Sequence, residues 1–145
     1  MREILFRGKR KDNGEWVEGH YGTMDIISLE ETYTAGFITV CCNSLGMQEI
    51  YEIIPETLSQ YILLDDKKGN KIFDGAILEI TREYYNRKEK SLYKVRYHEA
   101  TASFCAFAID FLQRVPLCQK ECKYCEIIGN IHDNPELLKG GEPDA

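Results

Sequence analysis

The chain has 145 residues, 43% apolar and 29% charged, which is enough apolar material for a folded core and excludes a disordered chain. A formal net charge of −6 speaks against a surface built throughout for phosphate backbones. No apolar run approaches membrane-spanning length, and the size suits one domain or two very small ones.

The opening MREILFRGKRK is charged within two residues and shows no secretory n-region leading into an apolar h-region. A reducing cytoplasm is therefore expected, with the six cysteines as free thiols. Charge is uneven. Residues 1–62 carry five Lys/Arg against ten Asp/Glu, and residues 63–145 carry thirteen against fourteen, so an anion-binding surface belongs in the second half.

Period-two signals dominate. EILFRGK and EWVEGHYGTM flank KRKDNGE, where Asn13-Gly14 is a hairpin-closing dipeptide. Residues 23–35 fit a helix, a strand or a loop. AGFITVCC and QEIYEII are β-branched and aromatic runs around the turn-like NSLGM. IPETLSQYILL reads as a short helix, with Pro55 at its first position and Glu56 at the positive end of its dipole. In DDKKGNKIFDGAILEI, Gly69 and Gly75 punctuate two short strands. LYKVRYHE alternates, with Tyr93, Val95 and Tyr97 on the face expected to point to the core and Lys94, Arg96 and His98 on the other. SFCAFAIDFL and YCEIIGNIH supply two more strands, and Asn134-Pro135 opens a final turn.

This pattern predicts a mainly β fold of small sandwich or barrel type with one or two short helices. The expected organisation is a strand-rich region over 1–62, a second domain over 63–138 and a frayed tail over 139–145.

Three ordered blocks carry a family resemblance: REILFRGKRKDNGEWVEGHY, IPETLSQYILLDDKKGNKIFDGAILEI and EIIGNIHDNPELL. Together they resemble the YopX-like family of phage and prophage proteins, in which P-E-T-x-x-Q-Y, D-x-x-G-x-x-I-x-x-G and G-N-I-x-x-N-P-E-L-L recur in that order. The resemblance implies an SH3-like small β-barrel in the second half, a bacterial host and self-association, and it implies no activity. Two positions depart from the pattern: Ala76 stands where an acidic residue is usual, and His132 where an aromatic is common. Gly14, Gly69, Gly75 and Gly129 read as structural turn residues, and Ile72, Ile77, Ile80 and Ile128 as barrel core.

Chemistry is offered most openly by CQKECKYCEIIGNIH. Cys118, Cys122 and Cys125 stand at C-x3-C-x2-C spacing, which would supply three ligands to a structural zinc. A fourth is missing. His132 would lie roughly 23 Å from Cys125 along an extended strand and on its opposite face. Only the fold could bring in Cys41, Cys42 or Cys105. The favoured reading places Cys105 and Cys125 in the core and the other two in a connecting loop, and no cofactor is expected, zinc included.

The second constellation is TREYYNRKEKSLYKVRY, where six Lys/Arg meet two Glu among interleaved tyrosines. Arg82, Arg87, Lys88, Lys90, Lys94 and Arg96, with Tyr84 and Tyr85 for stacking, would suit single-stranded nucleic acid, with NRKEKS as a projecting loop. Against this stand solvated hairpin tips and core-facing tyrosines, which are common on strands. Asp74 is expected to serve a turn. His20, His98 and His132 sit in separate segments without a catalytic motif, so no enzyme is expected. The leading expectation is a non-enzymatic protein-binding or self-assembling accessory protein, a homo-oligomer with an unknown host or phage partner and no membrane contact. Trp16, with Phe6 and Tyr21, could anchor its interface. The alternative is a weak nucleic-acid binder.

Overall fold

The structure, a computed structural model, describes residues 2–41 and 46–139, with the side chains of Cys41 and Lys139 outside the description. Cys42 and the tail residues 140–145 also lie outside it. The chain is mainly β, with antiparallel pairing throughout the described ladders, and divides into two compact units, Met1–Tyr61 and Ile62–Ala145. Among the described residues no helix is long and apolar enough to cross a membrane.

The first unit holds β1 (Phe6–Lys9), β2 (Trp16–Ile27), β3 (Thr32–Cys41), β4 (Gln48–Glu52) and the start of β5 (Ser59–Asp65), in the order β4-β3-β2-β1-β5. Gly14 closes the first hairpin at φ +74°, where an L side chain would be strained. Residues 23–35 resolve as the paired ends of β2 and β3. Their turn is held by Ser28, whose Oγ accepts from Glu31 N at 3.0 Å. Ile38 and Ile53 form the buried centre of this unit.

PETLSQY corrects the expected helix. Only Pro55–Thr57 turns, as a single 3-10 turn, and Ser59 onward is strand. The buried Thr57 hydroxyl accepts from Lys9 N at 2.9 Å and donates to Ile54 O at 2.6 Å, which locks the turn onto β1. Tyr61 N then donates to Leu5 O, so the segment satisfies its backbone by pairing with a neighbour rather than by helical bonds.

The second unit adds β6 (Lys71–Phe73), β7 (Ala76–Tyr84), β8 (Arg87–His98), β9 (Ser103–Ala108), β10 (Arg114–Pro116), the one-turn α1 (Gln119–Cys122) and β11 (Cys125–Asn130). Its main sheet runs β10-β9-β8-β7-β11. Both β10 and β11 are edges, so the sheet is open and not the closed barrel expected. Ile72, Leu78, Ile80, Tyr93, Val95 and Cys125 pack its core. Two expected core positions face outward: Tyr97 is 49% exposed and Ile128 is 38% exposed. Ile128 sits at a bulge, where the register between β11 and β7 jumps from Ile127 to Gly129 and breaks the alternation.

Two polar knots explain the glycine-bearing blocks. The buried Asp66 carboxylate accepts from Lys68 N and Asn70 N through Oδ1, at 3.0 and 2.9 Å, and from Ile127 N through Oδ2 at 3.0 Å. D-x-x-G is thus a turn that also grips β11, with Gly69 at φ +83°. In G-N-I-x-x-N, Asn130 Oδ1 accepts from His132 N and Asp133 N, while Asn134 Oδ1 accepts from Asn130 N. Ala76 is 1% exposed opposite Asn130, a place where an acidic side chain would be desolvated.

Burial opposes ionisation of Asp66, but the N–H groups of Ile127, Asn70 and Lys68 outweigh it and hold the carboxyl below its ordinary value. The folded form therefore gains stability above the unfolded carboxylate range and loses it as pH falls through the lower folded value. Asp66→Ala is expected to cost about 3 kcal/mol and to flatten the acid limb of the stability profile, measured by urea melts across pH. A Cβ on Gly129 would fall on Asn134 Oδ1 and 2.7 Å from its Cγ. Gly129→Ala should lower stability by about 2 kcal/mol in the same assay, and an unchanged midpoint would refute the close approach.

Candidate functional site

The β7–β8 hairpin carries the basic and aromatic residues singled out by sequence, but on two faces. Cross-strand register pairs Tyr84 with Arg87, Glu83 with Lys88, Arg82 with Glu89 and Thr81 with Lys90. Arg82, Tyr84 and Arg87 therefore share the face that continues into Leu78, Ile80 and Tyr93. Lys88, Lys90, Lys94 and Arg96 project from the other. The eight residues do not form one surface.

The hairpin tip is also shorter than expected. Residues 87–91 are strand, and only Tyr85 and Asn86 turn the chain. Tyr85 holds φ +55° and is fully exposed. Glycine is favoured in that conformation, so a bulky aromatic there is a strained choice at a position with no packing role.

Most of the positive charge is answered locally. Lys88 Nζ lies 3.6 Å from Glu83, Lys90 Nζ 3.6 Å from Glu79, Arg96 Nε 3.6 Å from Asp74 and Arg82 3.9 Å from Glu121. Lys88–Glu83 is a direct cross-strand pair, the arrangement that supports a hairpin in solvent.

The fold adds residues that local sequence reading did not associate. A surface groove of about 510 Å³ is lined by Arg82, Tyr84, Lys67, Glu121, Lys123 and Tyr124, with Thr81 and Glu83. Lys67 N donates to Cys125 O at 2.9 Å and Thr81 N to Tyr124 O at 3.2 Å. These long-range bonds place Lys67 and Tyr124 beside the hairpin. The sequence offers no more than the DDKKGN stretch in which Lys67 sits, and the grip of its Asp66 on β11 is a long-range bond.

The cysteines separate. Cys105, Cys122 and Cys125 are buried and Cys118 is exposed, so Cys122 belongs to the core rather than to a connecting loop. Among the described residues no three His, Cys, Asp or Glu side chains gather as a metal-holding group. The Cys125 thiol hydrogen-bonds to Cys122, which favours the thiolate of Cys122 and disfavours that of Cys125, with burial adding to the second effect.

Asp74 makes a partly buried ion pair with Arg96, and its carboxyl is pushed up by burial against the opposing pull of Arg96, the Gly75 N–H and His132. Its Oδ1 accepts no hydrogen bond. Gly75 follows at φ +88°, passing its N–H to Val95 O at 2.8 Å and accepting from Ile131 N at 2.9 Å. In the first unit Trp16 is half-buried under the Arg7 guanidinium, 4.5 Å from the ring centroid, and Phe6 packs on Tyr21 with centroids 5.8 Å apart.

The chain is similar to a solved structure, the crystal structure of protein EF1440 from Enterococcus faecalis. The two are 26% identical, the match covers 94% of this chain and 98% of that one, and the TM-score is 0.53. No curated protein matched the sequence. The family model described as YopX protein matches residues 5–139, a span that takes in the second and third sequence blocks whole and the first from Leu5 onward, and the chain belongs to the YopX family.

Proposed function

We propose that this chain is a phage or prophage accessory protein that acts in the host cytoplasm without catalysis or cofactor, as a self-assembling or protein-binding module. In this reading the second unit is an opened variation on an SH3-like barrel. The observation that supports it best lies in β2 and β3. Thr23–Ile27 and Thr32–Gly36 pair with each other, while β4 reaches only Phe37–Cys41 and β1 only Trp16–Gly19. A two-stranded ribbon is marginal in water by itself. This one also exposes Met24 at 52%, Ile27 at 79% and Leu29 fully. Apolar side chains on an under-supported ribbon are stabilised when another protein surface covers them.

Light scattering over a wide concentration range tests this. The wild type is expected to exceed monomer mass as concentration rises, and Met24→Asp with Ile27→Asp should restore the monomer without lowering the melting temperature. A wild-type monomer at every concentration would remove the self-assembly reading.

Nucleic-acid binding is the second reading, supported by the strained, exposed Tyr85 beside Arg87 at the hairpin tip. The carboxylate partners of Lys88 and Lys90 count against it. Joint replacement of Arg87, Lys88 and Lys90 by Gln should leave stability within about 0.5 kcal/mol per site. If the second reading is right, salt-dependent anisotropy of a single-stranded oligonucleotide will fall in that variant; unchanged anisotropy sinks it. Tyr85→Gly should raise stability by about 1 kcal/mol, because it relieves the positive φ. A destabilised Tyr85→Gly would mean that the ring contributes to folding after all.

A further inference from the structure

We propose that the outer edge of β2 is a strand-pairing surface whose occupant is the same edge of a second copy, antiparallel about a two-fold axis. This contact makes the self-assembly reading specific, and it rests on that reading. In an antiparallel pair, alternate residues turn their backbone N–H and C=O toward the partner strand, and the residues between turn theirs away. Arg10 N donates to Glu15 O at 2.8 Å, so in the β1–β2 register Glu15, Val17 and Gly19 address β1. Ser28 N donates to Glu31 O at 2.9 Å, so Ser28, Ile26, Met24, Gly22 and His20 address β3. Both ends of β2 agree on one alternation. Even-numbered residues bond inward to β3, and odd-numbered residues point outward.

β1 pairs with β2 only as far as Gly19. The chain ahead of β1 leaves for β5, where Leu5 O accepts from Tyr61 N at 2.8 Å. Among the described residues no strand therefore meets the outward backbone groups of Tyr21, Thr23, Asp25 and Ile27. Thr23, Asp25 and Ile27 are also exposed. Proteins guard such an edge with lysine, proline or a bulge. Residues 20–31 contain no Lys, Arg or Pro, and the β2–β3 register runs from His20 to Ile27 without a shift. The edge is open and unguarded.

A second copy is the occupant because the edge complements itself in one register. With Met24 on the two-fold axis against its own mate, Tyr21 stands opposite Ile27 and Thr23 opposite Asp25, in both directions. Every outward N–H then meets an outward C=O. A register centred on Asp25 would oppose two carboxylates. One centred on Thr23 would set Ile27 opposite Gly19, whose outward groups are already taken by β1. In the remaining register Asp25 faces a threonine, and Met24, 52% exposed in a single copy, is covered by its mate. The same patch on both copies makes a closed dimer.

The test is residue-resolved amide exchange of the full wild-type chain by NMR, at a dilution where light scattering reports monomer and at a concentration where it reports dimer. Tyr21, Thr23, Asp25 and Ile27 are expected to exchange about tenfold or more slowly in the dimer, while Gly22, Met24 and Ile26, already bonded to β3, change little. Thr23→Pro removes an outward donor and no β2–β3 bond, so it should stay monomeric with native circular dichroism. The wild-type exchange readout stands whether or not that variant folds. Met24→Cys should give, on mild oxidation, a disulfide joining two copies through that position, because Cα atoms in such a non-hydrogen-bonded pair lie about 4.5 Å apart. A dimer whose odd-numbered amides exchange as fast as in the monomer would overturn the edge contact and leave self-assembly to another surface. So would a folded Thr23→Pro that still dimerises. A wild type that stays monomeric at every concentration removes both readings.

Discussion

The second unit is organised around one buried anion. Asp66 carries its charge out of water and is stabilised there by three backbone N–H groups, two from its own turn and one from Ile127 on β11. β11 is an edge strand, paired with β7 on one side only. The Asp66 carboxylate, with the bond from Lys67 N to Cys125 O, ties the other side of β11 to the 66–70 turn. Replacing that carboxylate would leave three donors to find water or none, so the constraint is chemical as well as geometric. The placement of Cys125, of Tyr124 and of the groove beside the hairpin all follow from it.

The hairpin shows how the same residues can suggest one role in sequence and take another in space. A run of six cations among tyrosines reads as an anion-binding surface, yet strand alternation sends the cations to opposite faces and sets several of them beside carboxylates. Cross-strand pairs of this kind support a solvated hairpin and are screened by salt. What remains unexplained by stability is the strained aromatic at the turn and the apolar ribbon of the first unit. Features that cost stability at exposed positions are where a binding role is to be sought.

Much of the fold was legible because period two is a local property. The strands around Asn13-Gly14, the alternation at Tyr93 and Val95 and the turn glycines each rest on a few adjacent residues. The failures share one cause. IPETLSQYILL has helix-start signals, but Thr57 and Tyr61 find partners on or beside β1, some fifty residues earlier in the chain. Ile128 and Tyr97 have core-facing parity, but a bulge and an open sheet leave both exposed. Cys122 looked like loop and is core, because the one-turn α1 folds it back over β11.

The sequence by itself determined the mainly β class, the hairpin turns, the family blocks and the acidic balance, since each depends on side-chain type and short-range spacing. Only the tertiary structure decided which cations face carboxylates, which cysteines are buried and whether the sheet of the second unit closes. Those outcomes are set by contacts between residues far apart in the chain, whose pairing depends on burial and on backbone hydrogen bonds that no local pattern encodes.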